Sequence, residues 1–188
     1  MPAAETFALS VAQRDIWLDQ ISHGDSPLYN IGGYVDFAGA VVPALIEQAG
    51  RYADRLSVNI ELPTNASLQT LAPEKQLGSI RQAMRTIYTG EQTVLNEPRA
   101  PKFAPAGQST QMIVGADETD DSTILHSAQA LYGNYKLRRV YYSAFSPIPN
   151  SPKSVPLAAP PLMREHRLYQ ADFLLRSYGY SAGELFKG

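Results

Sequence analysis

From residue 55 onward the sequence alternates between short apolar strands and amphipathic helices, and this rhythm limits the fold more than any other feature. Three strands are predicted, at Leu56–Leu62, Gln111–Gly115 and Arg139–Phe145. Three helices are predicted after them, starting at about Pro73, after the acidic run Asp117–Asp121, and at about Leu162. Such alternation is typical of βαβ units, in which a helix connects two parallel strands. The sequence therefore predicts an α/β fold with parallel strands.

A short N-terminal α/β segment precedes this region. Ser10–Gln13 is a capping-box pattern that opens a predicted helix, and Tyr34–Phe37 is a predicted strand. Val41–Tyr52 again has helical spacing.

Two long connections interrupt the rhythm. Thr89–Gln108 is polar and contains three prolines, and Ser146–Pro161 contains six prolines in sixteen residues. So many prolines disfavour a helix or a central strand. Ordered connections of this length are usually functional, and surface disorder is the alternative.

Composition excludes several classes of protein. The 188 residues are 44% hydrophobic with a formal net charge of −2, which is typical of a globular chain with no overall attraction to nucleic acid or anionic membranes. No apolar run reaches the roughly 20 residues that span a bilayer, and the N-terminus lacks a signal-peptide pattern. We expect a cytoplasmic chain without a membrane partner.

The chain contains no cysteine. This excludes disulfides, cysteine zinc sites, cysteine nucleophiles and the usual thiolate ligands of a [4Fe–4S] cluster. The three histidines, His23, His126 and His166, are far apart and suggest no metal site. We therefore predict no metal ligands and assign no catalytic residue.

The first predicted strand has one polar face. Ser57, Asn59 and Glu61 alternate with the apolar residues of Leu56–Leu62, whereas buried parallel strands are usually apolar throughout. These three side chains would point at one ligand if the strand lined the interior of a barrel. An edge strand with a solvated face would give the same pattern, and the sequence does not decide between the two.

A second candidate is the pattern Gln111-x-Ile113-x-Gly115-x-x-Glu118. A strand that ends in glycine before an acidic helix start allows the backbone to approach a flat ligand closely. An ordinary buried strand followed by a well-capped helix also fits this spacing.

Two further clusters follow. Tyr141, Tyr142 and Phe145 could stack on a base or pack in a core. Arg164–Arg167 is a charged first helical turn, for which we expect a solvated face.

The segment Ala53–Pro63 resembles the middle of radical S-adenosylmethionine enzymes, in particular their DNA modification/repair branch. The resemblance covers residues 54–188 and is supported by four further blocks, Leu71–Lys75, Phe103–Ala116, Arg139–Phe145 and Arg164–Asp172. It implies a partial (β/α) barrel that binds a [4Fe–4S] cluster and S-adenosylmethionine.

The resemblance also assigns roles to the two candidate motifs. Ser57, Asn59 and Glu61 would face the ribose and amino-acid portion of the cofactor. Gln111, Ile113, Gly115 and Glu118 resemble the family's Gly-x-Ile-x-Gly-x-x-Glu motif, with Gln111 in place of the first glycine. Ile113 would then pack on adenine.

The chain departs from this family in its first part. The Cys-x-x-x-Cys-x-x-Cys loop is absent, and residues 7–45 instead resemble the start of a peptide-synthetase condensation domain without its His-His-x-x-x-Asp-Gly motif. We therefore predict two regions, a condensation-domain-like fragment at 1–45 and an incomplete radical-SAM-type barrel at 46–188. A fusion of two truncated genes or an assembly error would produce this arrangement.

The expected function follows from the resemblance. We expect a truncated, catalytically incomplete radical-SAM-like protein that binds S-adenosylmethionine weakly and cannot bind the [4Fe–4S] cluster. The alternative is a non-enzymatic interaction module, or a remnant of a condensation-domain fusion. Expected partners are a chain that completes the barrel, or a second copy; nucleic acid is implied only by analogy with the family.

Overall fold

The described helices and strands follow the predicted α/β order. The computed structural model describes residues 43–97, 99–147 and 155–187, all within the unit Gly39–Gly188. The helices are α1 (Pro43–Tyr52), α2 (Asn65–Leu71), α3 (Leu77–Asn96), α4 (Asp121–Tyr135), α5 (Leu162–Phe173), a π-helix (Leu174–Tyr178) and α6 (Ala182–Leu185). The strands are β1 (Leu56–Ser57), β2 (Gln108–Val114) and β3 (Arg139–Ala144). The helix predicted after Ser10 and the strand Tyr34–Phe37 lie outside the described residues.

The described strands form one parallel sheet in the order β1-β2-β3. Leu56 pairs with Gln108, and β3 pairs with β2 over its full length, from Ser109 with Arg139 to Val114 with Ala144. The predicted α/β class with parallel strands is confirmed.

The prediction of a continuous strand to Leu62 is wrong. The Thr110 hydroxyl donates to the Val58 carbonyl (2.7 Å) and accepts from the Ile60 amide (2.9 Å), so a side chain replaces the backbone ladder after the bond from the Val58 amide to Ser109. The chain rejoins β2 at an isolated bridge between Glu61 and Met112, and Glu61 has a left-handed φ of 62°. The alternation of faces is therefore interrupted at this point.

The helix predicted from Pro73 begins later and ends later than expected. It is preceded by α2, whose first turn is capped by the Thr64 hydroxyl accepting from the Ser67 amide. The helix α3 then continues to Asn96, into the predicted loop, and the hydroxyls of Thr89 and Thr93 donate to carbonyls four residues back without ending it. In the described part of the chain, no helix combines the length and apolar character needed to cross a membrane.

Two apolar clusters hold the sheet against the helices. The larger cluster joins alternate residues of β2 and β3 to α2, α3, α4, α5 and α6, with Met112, Val114, Val140 and Tyr142 from the strands. The smaller cluster surrounds Phe103, whose ring fills the space beside Gly50 and Gly90 where a Cβ would lie under 3 Å away. The helices therefore cover one face of the sheet.

Candidate functional site

The other face of the sheet is polar and partly open. By register, Ser57 lies beside Ser109, Gln111 beside Tyr141, and Ile113 beside Ser143, so these side chains share one face. Ser57 and Tyr141 are exposed, Gln111 and Ser143 are half-buried, and only Ser109 among the polar residues of this face is buried. A parallel sheet covered by helices on both sides would have buried these residues. The open face is thus a surface on which hydrogen-bonding groups and an aromatic ring are available.

Ser57 and Asn59 come together on this face, as their spacing predicts. The Ser57 hydroxyl lies 3.1 Å from Asn59 Oδ1 and 3.3 Å from the Ser109 carbonyl. Both residues are exposed.

Glu61 is held elsewhere. Its carboxylate accepts from Lys75 Nζ at 2.9 Å, and its side chain is only 18% exposed. The left-handed backbone at Glu61 breaks the period of two that would have placed it beside Asn59. The structure therefore brings together two of the three polar residues predicted on this strand.

The second predicted motif is also divided. Gln111 and Ile113 lie on the open face, and Ile113 also packs against the larger apolar cluster. Gly115 has the positive φ (80°) that favours glycine, but a Cβ there would lie 2.7 Å from the ring of Pro160. The close approach permitted by Gly115 is thus made by the protein itself, and Glu118 is exposed in the following loop.

The loop after β2 is fixed by polar contacts to α5. Arg164 donates to Asp121 Oδ1 (2.7 Å) and to the Thr119 carbonyl (2.6 Å), although its helical turn was expected to be solvated. Burial would raise the pKa of Asp117, but hydrogen bonds from Ser67 and Thr119 and the charge of Arg164 hold it below its usual value. These contacts therefore hold the loop at the carboxyl end of β2 in place.

The outer edge of β3 is closed by side chains. The Val140 amide donates to the Tyr132 hydroxyl (2.9 Å), and the Ala144 amide donates to Glu165 Oε2 (2.8 Å). Between them, the Tyr169 hydroxyl accepts from the Tyr142 amide and donates to the Tyr142 carbonyl, both at 3.0 Å. Sequence reasoning missed this arrangement, because no local pattern shows that a helix will take the place of a neighbouring strand.

A buried carboxylate stands behind this edge. Asp172 is fully buried; Oδ1 accepts from the hydroxyls of Tyr132 (2.6 Å) and Tyr142 (3.0 Å), and Oδ2 accepts from Arg176 Nε (2.7 Å). Burial and the Asp172 charge raise the pKa of both tyrosines, so they remain donors. The sequence contains one signal of this network. Asp172 and Arg176, an acidic and a basic residue four positions apart, lie on a helical stripe otherwise occupied by Leu168 and Leu175.

Arg139 is a further residue that the sequence reasoning missed. Its guanidinium lies over the rings of Tyr141 (5.4 Å) and Tyr169 (5.5 Å), and its buried Nε has no hydrogen-bond partner within the described residues. It shares the open face with Ser109 by register. The open face therefore also carries a cation at its β3 side.

The residues of this chain do not fit a [4Fe–4S] cluster. The sequence contains no cysteine, and no three histidine, aspartate or glutamate residues converge on a metal position in the described part of the chain. The open face does offer hydroxyl and amide donors and acceptors beside an exposed ring.

No protein family model matches the chain, and no curated protein or solved structure gives a significant match to it. Its function is therefore inferred from the residues described above.

Proposed function

We propose that residues 46–188 form part of a radical-SAM-type barrel whose open sheet face recognises S-adenosylmethionine weakly, without cluster-dependent chemistry. The observation that carries this proposal is a parallel sheet with helices on one face and exposed polar groups on the other. Helices on only one face of a parallel sheet are what a barrel wall has, because its other face lines the interior.

Individual residues can be given roles in this recognition. Ser57 and Asn59 offer a hydroxyl and an amide to the ribose and amino-acid portion of the ligand. The exposed ring of Tyr141 and the partly exposed side chain of Ile113 offer flat and apolar contacts to adenine. Glu61 would have to leave Lys75 before it could bind the ligand, so we assign it a minor part.

The affinity is expected to be low. An open face encloses little of a ligand, whereas tight small-molecule sites bury most of the ligand surface. The cluster iron that holds the amino and carboxylate groups in the family has no thiolate ligands here. We therefore expect a dissociation constant of about 1 mM, equivalent to about −4 kcal/mol.

The test is a titration of the ¹⁵N-labelled chain with S-adenosylmethionine, followed through the amide signals of β1, β2 and β3. The double variant Ser57→Ala/Asn59→Ala should weaken binding several-fold. Thr93→Ala removes an exposed hydroxyl from α3 and serves as the matched control.

Two results would refute the proposal. One is micromolar affinity that is unaffected by Glu61→Ala and by the double variant, because it would place the ligand elsewhere. The other is the absence of any saturable shift on the three strands at ligand concentrations near 10 mM.

The alternative function, a non-enzymatic interaction module, is favoured by a different observation. The β3 edge is closed, whereas Ser57 and Asn59 carry no backbone hydrogen bonds on their outer side among the described residues. A partner strand, or a second copy, would add to the sheet at β1.

A further inference from the structure

A cleft lies beside the π-helix, away from the residues of the open face. It is an open surface cleft with a volume of about 510 Å³. Its lining includes two cations and two tyrosine rings, with a glycine beside them: Tyr132, Arg138, Arg176, Gly179 and Tyr180. None of these residues belongs to the motifs assigned to the adenosyl ligand.

The π-helix shapes one wall of this cleft. Leu174–Tyr178 continues α5 with a wider turn, and the Gly179 amide closes it on the Leu174 carbonyl with a φ of 74°. Short π-helical insertions are uncommon and occur frequently at functional sites. Here the insertion contains Leu175 and Arg176 and is followed directly by Gly179 and Tyr180, so four lining residues come from this one feature.

Arg176 is oriented by a buried network. Its Nε donates to Asp172, whose other oxygen is held by the hydroxyls of Tyr132 and Tyr142. With Nε fixed, the terminal amino groups of the planar guanidinium have no other hydrogen bond within the described residues, and the side chain stays 24% exposed. Such a preorganised fork matches the geometry of phosphate and carboxylate groups.

Arg138 supplies the second cation. Its stem packs over Gly107, where a Cβ would lie 2.7 Å from Arg138 Cγ, so a backbone glycine makes room for it. The carboxylate that interacts electrostatically with Arg138 is that of Glu91. One of its oxygens is buried and has no hydrogen-bond partner among the described residues. Burial raises the pKa of Glu91 to about 7, although Arg138 opposes the shift. The positive charge of Arg138 is therefore only partly offset by Glu91 at neutral pH.

We propose that this cleft binds the oxyanion of a small anionic molecule, a phosphate or a carboxylate group, between Arg138 and Arg176, with the ring of Tyr180 beside the rest of the ligand. Asp172 offsets the charge of Arg176, and Glu91 offsets part of that of Arg138, so the net positive charge is modest. Binding of the isolated ion is accordingly expected in the millimolar range.

The experiment is a titration of the full chain with inorganic phosphate at constant ionic strength, with sodium acetate and sodium chloride as parallel arms. The readouts are the Nε–H signals of Arg138 and Arg176 and the amide signal of Gly179. We expect saturable shifts with phosphate or acetate but not with chloride; the stronger of the two identifies the oxyanion class.

Three variants make the test specific. Arg138→Gln should weaken binding roughly tenfold, the effect of losing one charged hydrogen bond. Arg176→Lys keeps a positive charge next to Asp172, so the fold should be preserved. It lacks the planar guanidinium that can make two parallel hydrogen bonds to an oxyanion, and it should therefore also weaken binding. Arg85→Gln, an exposed arginine on α3, changes the net charge equally and should bind like the unmodified chain.

Shifts equal to those with chloride, or unchanged binding in both Arg138→Gln and Arg176→Lys, would overturn the proposal. It is independent of the adenosyl site, because Ser57→Ala/Asn59→Ala should leave phosphate binding unchanged.

Discussion

The two edges of the sheet are built differently, although both end a row of parallel strands. At the β3 edge, outward backbone groups bond to Tyr132, Tyr169 and Glu165 from the neighbouring helices. At the β1 edge, the strand is two residues long and no described side chain takes the corresponding place. Covering an edge with a helix is a recognised protection against pairing with other chains.

The difference shows at which edge of the sheet another strand could pair. A strand added beyond β3 would have to displace three side-chain hydrogen-bonding groups and the buried carboxylate behind them. A strand added beyond β1 would displace no described hydrogen bond. Any extension of this sheet toward a barrel is therefore expected at β1.

The largest predicted effect comes from the carboxylate behind the closed edge. Asp172→Ala leaves two buried tyrosine hydroxyls without their acceptor and Arg176 without its partner. Breaking a buried, hydrogen-bonded ion pair typically costs about 3–5 kcal/mol, and we expect a loss of this size in the free energy of unfolding.

Urea denaturation measures this loss, and Asp54→Ala is the matched control. Asp54 lies just before β1 and pairs with Lys102 at 3.0 Å, but both side chains are mostly exposed. Exposed pairs often contribute nothing measurable, so this variant should unfold like the unmodified chain. Equal losses in the two variants would show that the closed edge has no special stability.

The next effect compares two tyrosines, one on α5 at the closed edge and one on β3 at the open face. Tyr169→Phe removes the hydroxyl that bonds both the amide and the carbonyl of Tyr142, which should cost about 1–3 kcal/mol. Tyr141→Phe makes the same chemical change on the open face and should stay within about 0.5 kcal/mol. A larger loss from Tyr141→Phe than from Tyr169→Phe, measured in the same urea titration, would contradict the closed-edge interpretation.

What the sequence could predict was set by local periodicity. The strand–helix alternation identified the α/β class, the parallel strands and the helices that begin near Asp121 and Leu162. It also indicated that Ser57 and Asn59 share a face, since alternation needs only a few regular residues.

What it could not predict depends on residues far apart in the chain. The end of β1 is determined by Thr110, which lies 52 residues after Val58. Glu61 is held by Lys75, and the space beside Gly115 is occupied by Pro160. A glycine pattern indicates that a close approach occurs, but it does not indicate whether a ligand or the protein makes it.

The last prediction concerns the β1 edge, where the change is expected in association and not in stability. Val58 donates its amide to Ser109 of β2, so the amide of Ser57 points to the outer side, where proline is tolerated in edge strands. Ser57→Pro removes this donor and places a ring where a partner strand would pair. The free energy of unfolding should change by less than about 1 kcal/mol.

Sedimentation velocity over a hundredfold range of concentration should show reversible association of the unmodified chain and of Ser57→Ala, which keeps the backbone donor. Ser57→Pro should remain monomeric. Association of Ser57→Pro equal to that of Ser57→Ala would mean that the copies meet elsewhere. A monomeric unmodified chain at all concentrations would mean that the β1 edge is protected after all, and the two edges would then differ in construction but not in consequence.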